Sequence, residues 1–420
     1  MAQAGRPATA SEWHDGWTLV AAAMVGYSLS SIPAGSTGVM MELIERDFGW
    51  SRTEIYSGTA LISFIGVGLA TFMGAAIDRL GPRRIAIAAA LLMCGSVAML
   101  STVGNSLWQW WAAWAVVGIA AATMPTVWLA PVASRFNASR GLAVAIVLSG
   151  SGMATFLVPI VTHALTEQYG WRGGYIGLGA IWAVFTLPFI LLFFRGPRRP
   201  QGGGQSVPSA EERAKLPGLT VREGFSSPTY YKLLFAAFGS IFGGVAIIMN
   251  LVPMLVSTGL ERGTAAPIAG LIGIATITGR VFGGWLMDRM SAKVIAAIST
   301  FVASILPVTL LVAPGSAGAA TFGVIAYGVV GGAKVGALAY LASRHLGQRA
   351  FGTLYGSINA VVALAVGISP LAANYIYDLT QSYEIVLWAA VPVLTVAALL
   401  YLSLGPYPDF SDRGETSARE

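Results

Sequence analysis

The sequence GAAIDRLGPRR, residues 74–84, ends one long apolar stretch of this chain. A shortened copy, GWLMDRM at residues 284–290, ends another apolar stretch 210 positions later. Asp78 and Asp288 each follow the first glycine of their copy by four positions, and each is followed by an arginine. The same charged sequence at the end of equivalent apolar stretches indicates a chain assembled from two related helical halves.

The composition is typical of a membrane protein. Hydrophobic residues make up 55% of the 420 residues, and charged residues make up only 10%. The apolar stretches exceed the roughly 20 residues with which a helix crosses a hydrocarbon core about 30 Å thick. They are continuous rather than alternating, which favours helices over the strands of a membrane barrel. We therefore expect an all-α polytopic membrane protein, in which the 51 glycines allow close helix packing.

The apolar stretches predict 12 transmembrane helices in two pseudo-symmetric six-helix bundles. The predicted N-terminal bundle covers 1–194, and the C-terminal bundle with a short tail covers 231–420. Residues 195–230 between them are rich in Gly and Pro among mixed charges, a composition that predicts a flexible linker loop. The predicted helices lie at about 17–40, 54–77, 84–104, 108–133, 141–165, 171–194, 231–257, 264–287, 291–313, 318–341, 352–378 and 383–404.

The basic residues predict the orientation in the membrane. An even number of spans places both termini and the central loop on one side, which holds 19 basic residues against four on the other. By the positive-inside rule this side is the cytoplasm of a multi-pass protein of the cell membrane, the inner membrane in a bacterial cell. The net charge of +6 is therefore a topology signal and does not indicate nucleic-acid binding. Residues 1–16 are polar, so the first helix reads as a retained span rather than a signal peptide.

Over its whole length the chain resembles the major facilitator superfamily. The resemblance rests on the two sets of six spans, the long central loop and the charged sequence after the second span. In such a fold the charges at a helix end can exchange partners between neighbouring helices and so bias which face is closed. The resemblance implies gating roles, with positive-inside anchoring as the alternative for the arginines, for Asp78, Arg79, Arg83, Asp288 and Arg289.

Two further sequences are similar to those of monocarboxylate transporters. Asp15-Gly16-Trp17 resembles the acidic-Gly-aromatic sequence at the mouth of that family's first helix, although the family's second tryptophan is missing. Residues 135–143, continuing into Ser149 and Gly150, resemble the signature that leads into the fifth helix. Non-basic residues stand at 138 and 139, where the family carries charges. The resemblance implies transport of small monocarboxylates together with a proton.

Two cations lie well inside the predicted spans. Arg280 is about 12 Å from the end of the eighth helix, and Lys334 is about 15 Å from Arg344 on the tenth, which places both near the midplane. Each costs at least about 2.5 kcal/mol if it faces lipid. The predicted spans offer no carboxylate to neutralise them, so they predict an anion site in which the planar Arg fork binds both carboxylate oxygens. The alternative is that both cations bond backbone carbonyls or reach an interface.

The family resemblance adds to the assignment of Arg280 and complicates the mechanism. The sequence around Arg280 resembles that of the substrate arginine of monocarboxylate transporters. The family's aspartate four residues earlier is replaced here by Thr276, and the family's lysine in the first helix is absent. The proton would then travel on the substrate or on Lys334, since His163 reads as a packing residue. The alternative is organic anion exchange, as in oxalate and formate exchangers, which also use two midplane cations.

Neutral polar residues in the spans complete the predicted site. Each can donate a hydrogen bond to a carboxylate or hydroxyl, and each can equally bond a neighbouring helix. These candidate substrate-binding residues are Tyr27, Asn250, Tyr327, Tyr355 and Asn359.

Other classes fit the sequence less well. Drug efflux within the same fold would require a bundle-facing acid and a Gly-Pro sequence in the fifth helix. A channel would require a repeated pore element. An enzyme would require paired catalytic groups in the spans, and the sequence shows none of these features. The single Cys94 excludes an internal disulfide or a cysteine metal cluster. We expect a monomer in the lipid bilayer with a small carboxylate and protons as partners, and no cofactor, metal or nucleic acid.

Overall fold

A computed structural model describes residues 8–136, 139–194, 218–287, 289–334, 336–408 and 410. In these ranges the backbone is almost entirely helical, and one isolated antiparallel bridge joins Gly218 to Gly347. The all-α prediction is confirmed.

The helices follow one another as twelve spans, numbered here in chain order. Some spans are interrupted, so that two helices form one span. Spans 1–6 are Ala8–Tyr27 with Ile32–Phe48, Arg52–Leu80, Pro82–Met99, Leu107–Arg135, and the two legs of Arg140–Phe193. Spans 7–12 are Pro228–Met249 with Leu251–Ser257, Arg262–Met287, Ala292–Val302 with Ile305–Val312, Ala317–Ala333 with Ala337–Leu346, Phe351–Thr380 and Glu384–Leu402.

The lengths of these helices suit a membrane protein. In the described part of the chain, nine helical stretches are long and apolar enough to cross a bilayer. One of them, Gly141–Phe193, is broken at Gly170, whose φ of 66° and ψ of −178° leave the helical region. Glycine adopts this φ without strain, so the break separates spans 5 and 6. Spans 2 and 8, with 29 and 26 residues, complete the twelve predicted helices.

Four spans, 1, 7, 9 and 10, are interrupted, span 9 between Val302 and Ile305. A 3-10 segment, Ser28–Ser31, interrupts span 1 just before Pro33, and Asn250 interrupts span 7 just before Pro253. Proline has no N–H for the helical ladder, which accounts for both breaks. In span 10 the first helix ends at Ala333, and Gly336 adopts a left-handed φ of 118° before the second begins. Discontinuous helices near the midplane are where transporters of this kind bind their substrates.

The end of the predicted linker is helical. Residues 195–217 lie outside the described ranges, but Val221–Ser226 forms a helix within the predicted loop 195–230. Thr220 and Glu223 satisfy each other's backbone N–H groups in a capping box, which fixes this turn. A Cβ on Gly224 would lie 2.4 Å from the Leu354 side chain, so the short helix packs against span 11. The described part of the predicted linker thus contains a packed helix, and span 7 begins at Pro228.

Two ends of the molecule can be distinguished. The linker end carries Phe194, Gly218 and the C-terminus of span 2; the Asp378 end carries the last turn of span 11. Buried apolar residues of spans 1–6 form one core, and those of spans 7–12 form two further clusters.

The two halves meet closely near the middle and at the Asp378 end. A Cβ on Gly273 of span 8 would lie 2.1 Å from the carbonyl oxygen of Gly152 in span 5. The glycine is therefore required for this backbone contact. Toward the linker end, by contrast, Gly68 of span 2 and Gly356 of span 11 have open space where a Cβ would stand. We take the linker end as the open one, since the contacts between the halves among the described residues lie near the middle and at the Asp378 end.

Candidate substrate-binding site

Arg280 lies on span 8 and extends from the second half to the first. One guanidinium nitrogen, Nη1, donates to the carbonyl oxygen of Leu148 in span 5, and Nη2 lies 3.4 Å from the hydroxyl oxygen of Ser151. Both partners flank the small residues Ser149 and Gly150 of span 5. A backbone carbonyl therefore holds part of the guanidinium, which was the alternative open for this residue.

The guanidinium of Arg280 retains an unused donor. Its Nε is buried and has no hydrogen-bond partner among the described residues. An unsatisfied buried donor costs about 1–3 kcal/mol, which a ligand oxygen would recover. Tyr27, at the end of the first helix of span 1, lies close enough for its hydroxyl to interact with the charge of Arg280. The structure thus brings these two predicted residues together at one site.

A cavity of about 160 Å³ lies beside this site, between the two halves. Spans 1 and 5 line one wall with hydroxyl groups, and spans 7 and 8 line the other with apolar side chains such as Leu251 and Ile272. Ser31 lines the cavity and donates to the carbonyl oxygen of Ser151 at 3.1 Å, so the hydroxyl wall joins the Arg280 site. The arrangement can hold a small solute with an anionic group toward Arg280 and an apolar group toward span 7.

Lys334 lies on span 10 and is directed into its own half. Its ammonium nitrogen donates to the hydroxyl oxygen of Ser240 on span 7 at 2.7 Å. The backbones of spans 8 and 10 touch, since a Cβ on Gly332 would lie 2.8 Å from the nitrogen of Arg280. The two cationic groups nevertheless bond to different halves, so the structure does not bring them to one shared anion.

The other predicted polar residues lie elsewhere. Asn250 is fully buried; its oxygen accepts from Asn374 at 2.8 Å and its nitrogen donates to the carbonyl oxygen of Ala246 at 2.9 Å, which uses its amide in helix contacts. Tyr327 is buried with its hydroxyl against Gly244 of span 7. On span 11, Tyr355 stacks on Phe351 and Asn359 is exposed.

The predicted gating residues lie mostly at the edge of what the structure describes. Asp288 is outside the described residues, and the side chains of Asp78 and Arg79 are outside them as well. Arg83 is exposed and donates to the carbonyl oxygen of Leu191 at 2.7 Å, within its own half. Arg289 is exposed at the linker end.

A network that the sequence did not single out closes the Asp378 end. Asp378 of span 11 accepts the backbone N–H groups of Arg52 and Thr53 at the start of span 2. The Arg52 guanidinium lies 3.7 Å from the centre of the Tyr377 ring and donates to the hydroxyl of Tyr383 at 3.1 Å. Tyr377 and Tyr383 belong to the second half, and Glu45, which lies 3.3 Å from the Arg52 Nε, belongs to the first, so the network fastens the two halves together.

A second inter-half contact at the same end is an ion pair. Arg262 of span 8 approaches Glu42 of span 1 at 2.6 Å. Residues around this pair, together with Arg52 and Tyr377 of the network, line a second cavity of about 300 Å³.

Sequence reasoning missed the neutral partners of the two cations. Ser151 directly follows Ser149 and Gly150, and Ser240 lies in span 7; neither serine was predicted as a site residue. Serine and threonine in membrane helices commonly bond to their own backbone, so no local pattern marks those that face a charge. Asp378 was not predicted as a contact residue either, and its partner Thr53 is 325 residues away in the chain.

Solved structures show the same fold. A bacterial homologue of the human lysosomal transporter Spinster, solved in an inward-facing and occupied conformation, aligns with a TM-score of 0.69 at 16% identity. The alignment covers 95% of this chain and 97% of that one. The same comparison with an inward-facing and unoccupied structure gives a TM-score of 0.65.

Sequence relatives point to transport. The chain is 24% identical to monocarboxylate transporter 12-B of Danio rerio, with 93% of this chain and 87% of the relative covered. It is 23% identical to monocarboxylate transporter 12 of Rattus norvegicus, over 88% and 81%. This multi-pass membrane protein is therefore a transporter rather than an enzyme. The family model of the Major Facilitator Superfamily matches residues 23–370, and the chain belongs to that superfamily.

Proposed function

We propose that the chain carries small monocarboxylates together with protons by alternating access, with Arg280 as the residue that binds the carboxylate. The observation that carries this proposal is the position of Arg280 at the junction of the halves, with a buried Nε that lacks a partner among the described residues. An arginine fork is suited to a carboxylate because its parallel N–H groups match two oxygens. Relatives named monocarboxylate transporters support the same substrate class.

The neighbouring cavity supports a small substrate. At about 160 Å³ it accommodates a short-chain acid rather than a drug-sized molecule, which occupies a pocket of roughly 300–1,000 Å³. We propose that the carboxylate lies between Arg280 and Tyr27 and that the carbon chain points toward Leu251 and Ile272. Ser31 would contact the middle of the substrate.

The open linker end is proposed to be the cytoplasmic side, with both termini there. The excess of basic residues at this end supports the assignment. Asp78 and Asp378 each lie two residues before the end of their helices, span 2 and span 11. Asp378 caps span 2 in this conformation; we propose that Asp78 acts on the start of span 11, whose cap residue Ala350 makes no side-chain hydrogen bond, when the linker end closes.

Arg79, Arg83, Asp288 and Arg289 stay proposed members of the linker-end gate. They lie at or just after the helix ends of spans 2 and 8, which must approach the opposite half when this end closes. Anion exchange stays the alternative. It was predicted from two midplane cations that share one anion, whereas Arg280 and Lys334 bond to different halves here.

Transport assays in proteoliposomes test the proposal. Arg280→Gln should abolish uptake of labelled monocarboxylates while the purified protein stays folded. Arg172→Gln is the matched control, because Arg172 is exposed and pairs with Asp47 within the first half. Uptake driven by a pH gradient without internal anion supports symport, and uptake that requires a preloaded anion supports exchange. Full transport by Arg280→Gln would refute the site.

A further inference from the structure

We infer that Lys334, Ser240 and Thr300 form the proton-binding site of the transport cycle, separate from the carboxylate site at Arg280. The inference rests on the proposed function and identifies which residue carries the proton. The geometry that supports it is a lysine at a helix break, bonded to a hydroxyl rather than to a carboxylate.

The partners of Lys334 suit a group that changes its charge. The ammonium donates to Ser240 Oγ at 2.7 Å, and Ser240 Oγ lies 3.4 Å from the hydroxyl of Thr300 on span 9. A serine hydroxyl both donates and accepts, so it can accept from an ammonium or donate to a neutral amine. A carboxylate partner would instead hold the lysine in its charged form. The hydroxyl pair satisfies Lys334 in both protonation states.

Other charged groups on the packed helices are turned elsewhere. Arg280 on span 8 reaches across to the first half, and Lys293 at the start of span 9 donates to the carbonyl oxygen of Leu404. On span 10 itself, Tyr327 packs against Gly244, and His345 contacts the Tyr407 ring. Among the described residues, no charged side chain pairs with Lys334.

The backbone around Lys334 stabilises a cation. Lys334 follows the last residue of the helix Ala317–Ala333, where the free carbonyl groups favour positive charge. Gly336, two residues later, is exposed and adopts a left-handed φ of 118° at the break in span 10. In the cycle inferred here, the ammonium releases its proton through this break and becomes a neutral amine.

The summed charge of the Arg280 and Lys334 sites is the same in the empty and the loaded form of the transporter. The empty form carries Arg280 as a cation and Lys334 as a neutral amine. The loaded form adds one carboxylate at Arg280 and one proton at Lys334, so the summed charge of the two sites is +1 in both forms. Because moving charge through the membrane is costly, equal charge lets both forms reorient. Direct backbone contact between spans 8 and 10 at Gly279 and Gly332 links the two sites physically.

The experiment compares two transport modes of Lys334→Gln in proteoliposomes. Counterflow exchanges labelled for unlabelled carboxylate without net proton movement, and it should persist because Arg280 is intact. Accumulation driven by a pH gradient should be lost. Lys293→Gln is the matched control, a lysine on a neighbouring helix with a backbone partner, and it should keep both modes.

Ser240→Ala provides a second test that leaves the lysine in place. The ammonium loses its acceptor, so the pH of half-maximal uptake should fall while the counterflow rate stays unchanged. Accumulation by Lys334→Gln equal to that of the unmodified chain, or an unshifted pH profile of Ser240→Ala, would overturn the inference. If the unmodified chain exchanges carboxylate but ignores a pH gradient, the proton site is wrong while carboxylate binding at Arg280 stands. If no carboxylate is transported at all, the proposed function fails.

Discussion

The carboxylate of Asp378 accepts the backbone N–H of Thr53 at 2.9 Å and the Thr53 hydroxyl at 2.5 Å. Asp378 lies in the last turn of span 11 in the second half, and Thr53 lies in the first turn of span 2 in the first half. The carboxylate thus serves as an N-terminal cap for a helix in the other half, where the helix dipole also favours negative charge. Closure at this end depends on a capping interaction that opening must break.

Replacing Asp378 should shift the chain toward the conformation that is open at this end. Loss of a helix cap costs about 1 kcal/mol, or about fivefold in the equilibrium. We expect Asp378→Ala to raise the labelling rate of a Val252→Cys reporter in a Cys94→Ser background, using an impermeant maleimide at the Asp378 side. Asp47→Ala is the control, because Asp47 pairs with Arg172 inside one half. Equal labelling of both variants would contradict the capping role.

The close contact between spans 5 and 8 predicts that a larger side chain at Gly273 destabilises the protein. Gly273→Ala places a methyl group 2.1 Å from the carbonyl oxygen of Gly152, and such overpacking costs about 1–3 kcal/mol. We expect a lower melting temperature of the purified protein and reduced uptake. Gly68→Ala, which meets open space, should keep or raise the melting temperature. A stable, active Gly273→Ala protein would show that this contact is not needed.

Arg280→Lys separates charge from the fork geometry. A lysine has the charge but cannot bond the Leu148 carbonyl and both oxygens of a carboxylate in one plane. Losing a charge-assisted hydrogen bond of about 1.5–3 kcal/mol should raise the KM for monocarboxylates by about tenfold or more. Arg262→Lys on the same span should leave KM unchanged, since Arg262 pairs with Glu42 outside the cavity. An unchanged KM in Arg280→Lys would argue against carboxylate binding by the guanidinium.

Ser151→Ala tests how far the first half positions the guanidinium. The Nη2 to Ser151 distance of 3.4 Å marks a weak hydrogen bond, so its loss is expected to cost about 0.5–1.5 kcal/mol. KM should rise by roughly threefold to tenfold while the maximal rate changes little. Ser149→Ala on the same helix serves as the control, because the Ser149 hydroxyl donates to the carbonyl oxygen of Ala145 in its own helix. A change confined to the maximal rate would assign Ser151 to the conformational step instead.

Much of the fold was predictable because membrane helices are specified locally. Each span needs a continuous apolar stretch of its own, so the twelve helices could be placed along the chain one at a time. The exceptions have nonlocal causes. The helix Val221–Ser226 forms in a polar segment because it packs against Leu354 of span 11. The breaks in the spans could not be predicted from each apolar stretch alone, because they depend on the side chains that face them.

The site was predictable only in part. Arg280 and Lys334 were identifiable because a charge in a membrane span is costly, and this cost can be judged from each residue alone. Their directions were not, and the anticipated shared anion site gave way to two groups that bond to different halves. Asn250 was a plausible ligand in sequence, but its amide bonds Asn374 and the Ala246 carbonyl.

The sequence by itself determined the membrane class, the helix order, the repeated charged ends and the residues whose burial requires a reason. Only the tertiary structure decided which of them meet: Arg280 with Leu148, Lys334 with Ser240, and Asp378 with Thr53. The physical reason is that hydrophobicity acts on each segment separately, whereas a hydrogen bond requires two atoms within about 3 Å and a defined direction. That requirement is met only when helices distant in sequence have packed together.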